Sequence, residues 1–340
     1  MTLAHFDAGP GDVERLREAF PKFRLTVVPD PLCEDTAPAA HDAELLSVFV
    51  QSRVGKEVLE QLPRLKMIAA RSTGVDHIDM GECARRGILV ANVPVYGENT
   101  VAEHAFALIL ALSRKVFQSY ERTERMNFDR AGLQGFDLFG KTLGVVGTGN
   151  IGRHSARIGR GLSMSVIAYD VKPDLHLAAE LGFSYVGSLD ELLGKSDVIT
   201  LHVPYLPATH HLINKDNVQN IKRGAILVNT ARGALVDTAA LLWALGEKIL
   251  SGAGLDVLEE ENDTYEEIEL LSKEFPKNKD IATILRNHIL VARDDVIITP
   301  HNAFNSVEAV QRIFDTTVEN VRAFLGGKPT NAVEKKGSSS

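Results

Sequence analysis

The chain has 340 residues, with 37 lysines and arginines against 45 aspartates and glutamates and a formal net charge of -8. That balance argues against nucleic acid or an anionic membrane surface as the main partner, and an anionic substrate would need a local cationic group. Two cysteines, Cys33 and Cys83, stand in no CxxC or metal-ligand spacing, so no disulfide framework and no metal site is expected, and without a leader pattern or a run of about eighteen apolar residues the expectation is a soluble cytoplasmic protein.

In chain order, helix-like stretches at Gly11 to Phe20 and Lys56 to Leu62 alternate with short apolar runs at Arg24 to Val28, Ser47 to Val50, Met67 to Ala70 and Ile88 to Val90. Asn99 to Arg114 follows. Its Val101, Ala105, Leu108 and Leu112 fall at helical spacing, and Ala102, Phe106 and Ile109 widen the stripe beyond one face. This helix is expected to cross between domains and to offer a subunit contact. From Thr142 the alternation restarts, with apolar runs at Leu143 to Val146, Val166 to Tyr169, Val198 to Val203, Ala225 to Asn229, Gly252 to Val257 and Val296 to Thr299. Glu308 to Leu325 has the spacing of a last helix that returns to the first domain, and Gly337 to Ser340 reads as a tail. Strands alternating with helices predict an α/β protein of two mostly parallel sheets, with 1–98 plus 300–336 as one discontinuous domain and 99–299 as the other.

The strongest local signal is Gly147, Thr148, Gly149, Asn150, Ile151, Gly152, which follows a predicted strand and opens a predicted helix, with Asp170 ending the next strand. In such a unit the first glycine permits the tight turn, the second lets a pyrophosphate approach the backbone, and the third lets helix pack on strand. Helix-start amides then bind phosphate, and the acidic residue accepts hydrogen bonds from an adenosine ribose. Asp170 favours NAD over NADP, while Lys172 nearby would tolerate a 2′-phosphate in part.

Ligands of doubly wound sheets sit at the carboxyl ends of the strands, so the polar residues after each run are the candidates. Val203 and Pro204 follow one run; Thr230, Ala231, Arg232 and Gly233 follow another; Asp256 ends a third; Pro300 and His301 follow the last. Arg232 has the planar fork that suits a carboxylate, His301 is a proton donor and acceptor near neutral pH, and Glu261 is placed to favour its protonated form. Asp256 is expected to hold the nicotinamide end of the cofactor, with Val203 and Pro204 packing against it.

Thr142 to Gly152, Leu201 to Pro204 with Thr209 to Asn214, Val228 to Asp237, Ala253 to Glu261 and Thr299 to Ala303 together resemble the D-isomer-specific 2-hydroxyacid dehydrogenases over nearly the whole chain. The resemblance implies two Rossmann-like, flavodoxin-like domains with the active site in the cleft between them, and a homodimer through 99–114. It implies a catalytic set of Arg232, Glu261 and His301, a cofactor role for Thr209, backbone amides of Thr73 and Gly74 on the substrate carboxylate, and Tyr96 and Phe304 near the substrate side chain. Pro94 to His104 and Phe304 look most like the D-lactate dehydrogenase branch, whose members also carry an extended stretch where this chain has Asn262 to Asp295. The implied reaction is reversible hydride transfer between NADH and a small 2-oxo acid, pyruvate foremost. A glyoxylate or hydroxypyruvate reductase, and an NAD-sensing dimeric corepressor of the same fold, stay open beside it.

Overall fold

The computed structural model describes residues 1–260 and 281–333, so Glu261, most of the charged segment and the tail from Gly337 lie outside the described residues. The elements in order are β1 (Thr2–His5), α1 (Asp12–Ala19), β2 (Arg24–Val27), β3 (Leu45–Val48), α2 (Lys56–Glu60), β4 (Met67–Ala70), α3 (Met80–Arg85) and β5 (Leu89–Ala91). Then come α4 (Glu98–Arg114), α5 (Val116–Glu124), β6 (Thr142–Val146), α6 (Asn150–Gly161), β7 (Ser165–Tyr169), α7 (Leu175–Leu181), β8 (Ser184–Tyr185) and α8 (Leu189–Lys195). The described chain continues through β9 (Val198–Leu201), β10 (Ala225–Asn229), α9 (Thr238–Gly246), β11 (Leu250–Leu255), α10 (Ile281–Val291), β12 (Val296–Ile298) and α11 (Val307–Leu325).

Two units divide the chain: Met1–Tyr96 with the residues from Ser306 on, and Gly97–Asn305. The second junction lies six residues beyond the expected 299/300. Residues 300–305 stay with the longer unit because the amides of His301, Asn302 and Ala303 are all bonded to Asp256.

The first unit is a five-stranded parallel sheet in the order β2-β1-β3-β4-β5. Side chains alternate across it, as period-two geometry requires. Ala4, Leu46, Ile68 and Val90 pack with Val58, Leu59 and Cys83 of α2 and α3, while Leu3, Leu45, Met67 and Ala69 pack with Leu16 of α1 and Val318 and Val321 of α11. Both faces are therefore covered, which explains why β3 and β4 read as unbroken buried runs. Strand β1 was not among the runs read from the sequence: only four residues long and ending in the buried polar His5, it offers too little periodicity. Ser47 to Val50 was expected to be strand to its end, but β3 stops at Val48, since the Phe49 amide turns to the Asp7 carboxylate at 2.8 Å.

The second unit holds a seven-stranded parallel sheet in the order β12-β11-β10-β9-β6-β7-β8. Helices α4 and α6 cover one face, with Phe106, Leu108, Ile109 and Ala156 against Leu143, Val145, Val166 and Val228. Helices α8, α9 and α10 cover the other, with Leu192, Leu241, Ala244 and Leu290 among Ile199, Leu227, Ala253 and Leu255. Gly254 lets α4 approach closely, because a Cβ there would stand 3.0 Å from the Cβ of Leu108. The chain builds outward from β6 through β7 to β8, then returns to place β9 on the other side of β6. That reversal opens a crevice at the carboxyl ends of β6 and β9.

On helix α4, Val101, Ala102, Ala105, Phe106, Leu108, Ile109 and Leu112 are buried within the chain, while Leu110 on its other face is 42% exposed. Further exposed apolar side chains lie just beyond it, at Val116, Phe117, Tyr120, Met126, Phe128 and Phe139. Replacing Ile109 by alanine is therefore expected to cost about 2–5 kcal/mol in denaturant unfolding, independent of protein concentration. A loss that disappears at high concentration would place this face at an intersubunit contact instead.

Candidate active site

The glycine motif has the backbone its spacing requires. Gly147 takes φ +89, open to glycine at no steric cost, and its amide donates to the Tyr169 carbonyl at 2.9 Å. A Cβ there would meet the Val203 Cγ1 at 2.7 Å and the His202 carbonyl oxygen at 2.9 Å, so this glycine brings the ends of β6 and β9 together. A Cβ on Gly152 would stand 1.9 Å from the Gly147 carbonyl oxygen, so α6 is seated directly on the turn. Around Gly149, by contrast, a Cβ would meet nothing within 4 Å, and Gly149 caps α6 without any side-chain hydrogen bond. Asn150 and Ile151 open the helix, with Asn150 Oδ1 accepting from Arg153. The arrangement is a tight turn leading to an open helix start, the geometry that admits a pyrophosphate.

Asp170, just past β7, receives the Thr148 amide at 2.7 Å and the Thr148 hydroxyl at 3.0 Å on Oδ2, and the Lys172 amide at 2.8 Å on Oδ1. Partial burial is the largest single influence and opposes ionisation, but these donors together outweigh it and hold the carboxyl below its usual range. It stands as a fixed anion one strand away from the glycine turn. At the end of β10, the buried Thr230 Oγ1 has no hydrogen-bond partner among the described residues, and Asn229 shapes the turn by accepting the Ala231 amide at 3.0 Å and donating to the Arg232 carbonyl at 2.8 Å. Open backbone at Gly149, an anion at Asp170 and an orphaned hydroxyl at Thr230 together fit a dinucleotide laid across the crevice. Thr209 is engaged within its own loop, where its hydroxyl donates to the Pro204 carbonyl at 2.8 Å and receives the Leu206 amide at 2.8 Å, closing the chain after β9.

Arg232, Asp256 and His301 follow β10, β11 and β12, three neighbouring strands of one parallel sheet, so they share one edge. Arg232 sits where the following residue must be glycine, since a Cβ on Gly233 would lie 2.0 Å from the Leu258 carbonyl oxygen. Asp256 is 1% exposed and anchors the turn that carries His301. Its carbonyl accepts the His301 amide at 2.9 Å, its Oδ1 accepts the Asn302 amide at 2.8 Å and the Thr299 hydroxyl at 2.5 Å, and its Oδ2 accepts the Ala303 amide at 2.9 Å. His301 is thereby held at φ +48, in the left-handed region that a non-glycine residue enters only when its surroundings impose it. Helix α4 adds a support that sequence reasoning missed: His104 Nε2 lies 3.0 Å from the Thr299 hydroxyl and 3.4 Å from Asp256 Oδ1. A histidine interrupting an apolar helical stripe was the available signal. Asp256 thus organises the histidine turn, a role the sequence did not suggest beside the nicotinamide contact expected of it.

In the first unit, Thr73 Oγ1 donates to the Val93 carbonyl at 2.9 Å, the Ser72 hydroxyl donates to the Gly74 carbonyl at 2.6 Å, and Tyr96 presents its carbonyl to Arg312. Phe304 follows the histidine turn, in the second unit.

The sequence pattern of the D-isomer-specific 2-hydroxyacid dehydrogenase NAD-binding domain matches residues 106–303. The chain belongs to that family. The enzyme is 37% identical to D-lactate dehydrogenase of Escherichia coli over 91% of each chain, and 38% identical to glycerate dehydrogenase of Methylorubrum extorquens over 82% of each. A crystal structure of D-lactate dehydrogenase from Aquifex aeolicus, complexed with NAD and lactic acid, superposes with a TM-score of 0.83 at 39% identity, covering 96% of each chain. The dehydrogenase is accordingly an NAD-dependent oxidoreductase acting on the CH–OH group of 2-hydroxy acids. No helix among its described residues is long and apolar enough to cross a membrane.

Asp256 also sets a pH dependence. Burial weighs most and raises its pKa, yet His104, Thr299 and the Ala303 and Asn302 amides outweigh that and lower it. A depressed carboxyl contributes stability above its ordinary pKa of about 4 and loses it as the pH falls through the lowered value. Asp256→Asn should therefore be less stable by about 1–3 kcal/mol near neutral pH and show a flatter acid limb, measured by denaturant unfolding across pH 2 to 7 at steps of about one unit. An acid limb identical to the parent's would remove Asp256 from this role.

Proposed function

We propose that the enzyme interconverts a small 2-oxo acid and its D-2-hydroxy acid, with pyruvate and D-lactate as the preferred pair. The observation that carries this reading is the His301 turn held on the buried Asp256, beside the strand end that bears Arg232. Bound NADH supplies the hydride to the substrate's carbonyl carbon. His301, protonated, gives its proton to the carbonyl oxygen and takes it back in the reverse direction. Arg232 pairs its guanidinium with the substrate carboxylate and stabilises charge growing on the adjacent oxygen. Glu261 is assigned to keep the imidazolium available, on family resemblance alone. Thr73 and Gly74 are assigned to the substrate carboxylate, and Tyr96 and Phe304 to the substrate side chain, on family resemblance alone. Gly147 to Gly152, Asp170, Val203, Pro204, Thr230 and Ala231 are assigned to the cofactor.

The D-lactate dehydrogenase relatives support the lactate assignment, and the glycerate dehydrogenase relative supports hydroxypyruvate as a second reading. NADH oxidation with pyruvate, glyoxylate, hydroxypyruvate, phenylpyruvate and 2-oxoisocaproate, each product assayed for handedness, decides between them. Highest kcat/KM on pyruvate with a D product is the expected outcome; preference for hydroxypyruvate would transfer the assignment. His301→Gln should slow turnover by about 10²–10⁴-fold with NADH binding nearly intact, and near-parental turnover would remove the histidine from proton transfer.

The assembly is proposed to be a cytoplasmic homodimer, formed through the exposed side chains of 116–139 such as Phe117 and Phe128, next to the contact expected on 99–114. In sedimentation the parent is expected as a dimer and Phe117→Glu with Phe128→Glu as a monomer. A dimer that survives both substitutions would place the contact elsewhere.

A further inference from the structure

Tyr185, on the edge strand β8, has no part in the chemistry above, yet its hydroxyl begins a run of hydrogen bonds that ends on Asp170. The Asp174 amide reaches the Tyr185 oxygen at 3.1 Å, the Tyr185 and Thr148 hydroxyls are 2.8 Å apart, and Thr148 Oγ1 lies 3.0 Å from Asp170 Oδ2. Counting protons fixes the direction. An ionised carboxylate has none to give and each hydroxyl has one. Thr148 therefore donates to Asp170, which leaves its oxygen to accept from Tyr185, and the Tyr185 oxygen accepts from the Asp174 amide. Every member of the run is satisfied in that one direction only.

The register of the sheet puts Tyr185 in place for this. Its backbone pairs with Ala168 on β7, two residues before Asp170, and its ring lies edge-on to Phe183 at 5.3 Å between centroids. The hydroxyl thus reaches back over the strand end to the second residue of the glycine motif. In a partly buried site, consecutive hydrogen bonds polarise one another, so Thr148 bonded by Tyr185 is a firmer donor to Asp170 than Thr148 alone.

We infer that Tyr185 is a positioning residue for cofactor choice, holding the Asp170 carboxylate through Thr148 in the orientation that accepts a ribose diol and opposes a 2′-phosphate. The inference rests on the assignment of Asp170 to the adenosine ribose. Without the Tyr185 hydroxyl, Asp170 keeps the Thr148 and Lys172 amides but is held less firmly by the Thr148 hydroxyl and gains freedom to turn. It then binds the diol less firmly and repels a phosphate at that position less.

Calorimetric titration of the purified enzyme with NADH, NADPH and ADP-ribose tests it. Tyr185→Phe keeps the ring against Phe183 and removes only the hydroxyl. Affinity for NADH and for ADP-ribose should fall about three- to tenfold, with NADPH changing less, so that the preference for NADH narrows. Thr148→Val should narrow it likewise, Thr148→Ser should restore it, and the Tyr185→Phe, Thr148→Val pair should do no more than Thr148→Val alone, because links of one run do not add. Asp170→Ala is the reference. If it loses the preference while Tyr185→Phe keeps the parent's ratio, the inference is overturned and the assignment of Asp170 stands; if Asp170→Ala also keeps the ratio, both fall. A Tyr185→Phe enzyme with a lowered melting temperature and equal weakening toward NADH and NADPH would show a merely structural tyrosine and likewise overturn the inference.

Discussion

A carboxylate removed from water must be met by donors or it will not stay charged, and the edge of the second sheet is arranged around one such group. Asp256 gathers two backbone amides and a hydroxyl onto its side chain and a third amide onto its carbonyl, all from the stretch that begins at Thr299. The strained conformation of His301 is sustained by those bonds, since the turn cannot relax without leaving the buried carboxylate unmatched. Helix α4 is drawn in as well, because His104 reaches the same carboxylate. One buried charge thus couples a helix, a strand and the histidine expected to move the proton.

Asp170 makes a different use of the same chemistry. Less deeply buried, it is also kept ionised by amides, yet it stands where a ligand can meet it. Between the two carboxylates run the ends of β6, β9 and β10, brought close by glycines whose Cβ positions are already filled by neighbouring backbone. The parallel sheet therefore fixes where charge can be placed, and the glycines fix how near a cofactor can come.

Much of this was legible in the residues. The β4 and β10 runs were read to the residue, and α4, α6 and α11 nearly so, because each is long or apolar enough for its periodicity to outweigh local noise. The glycine motif could be read because its physical demands are local. What escaped was set by distant partners. Strand β1 exists because β2 and β3 flank it, not because its four residues announce a strand. The support from His104 depends on Thr299, 195 residues along the chain, and the apolar stripe on α4 could not reveal whether a sheet or another subunit would cover it. Periodicity reports that a face is buried, and only the fold says by what.

The covering of the first sheet by α11 has a consequence for how the protein is made. Leu3, Leu45 and Met67 wait for Val318 and Val321, which lie at the far end of the chain. During synthesis the N-terminal strands emerge first with one apolar face covered only by α1, while the whole of the second unit is laid down between them and their missing helix. Domains generally fold as they emerge, N-terminal first. Here that order is inverted: the middle of the chain can settle while the beginning waits for the end. Exposed strand surface is prone to association, so this interval on the ribosome is the period in which the nascent enzyme is most in need of protection.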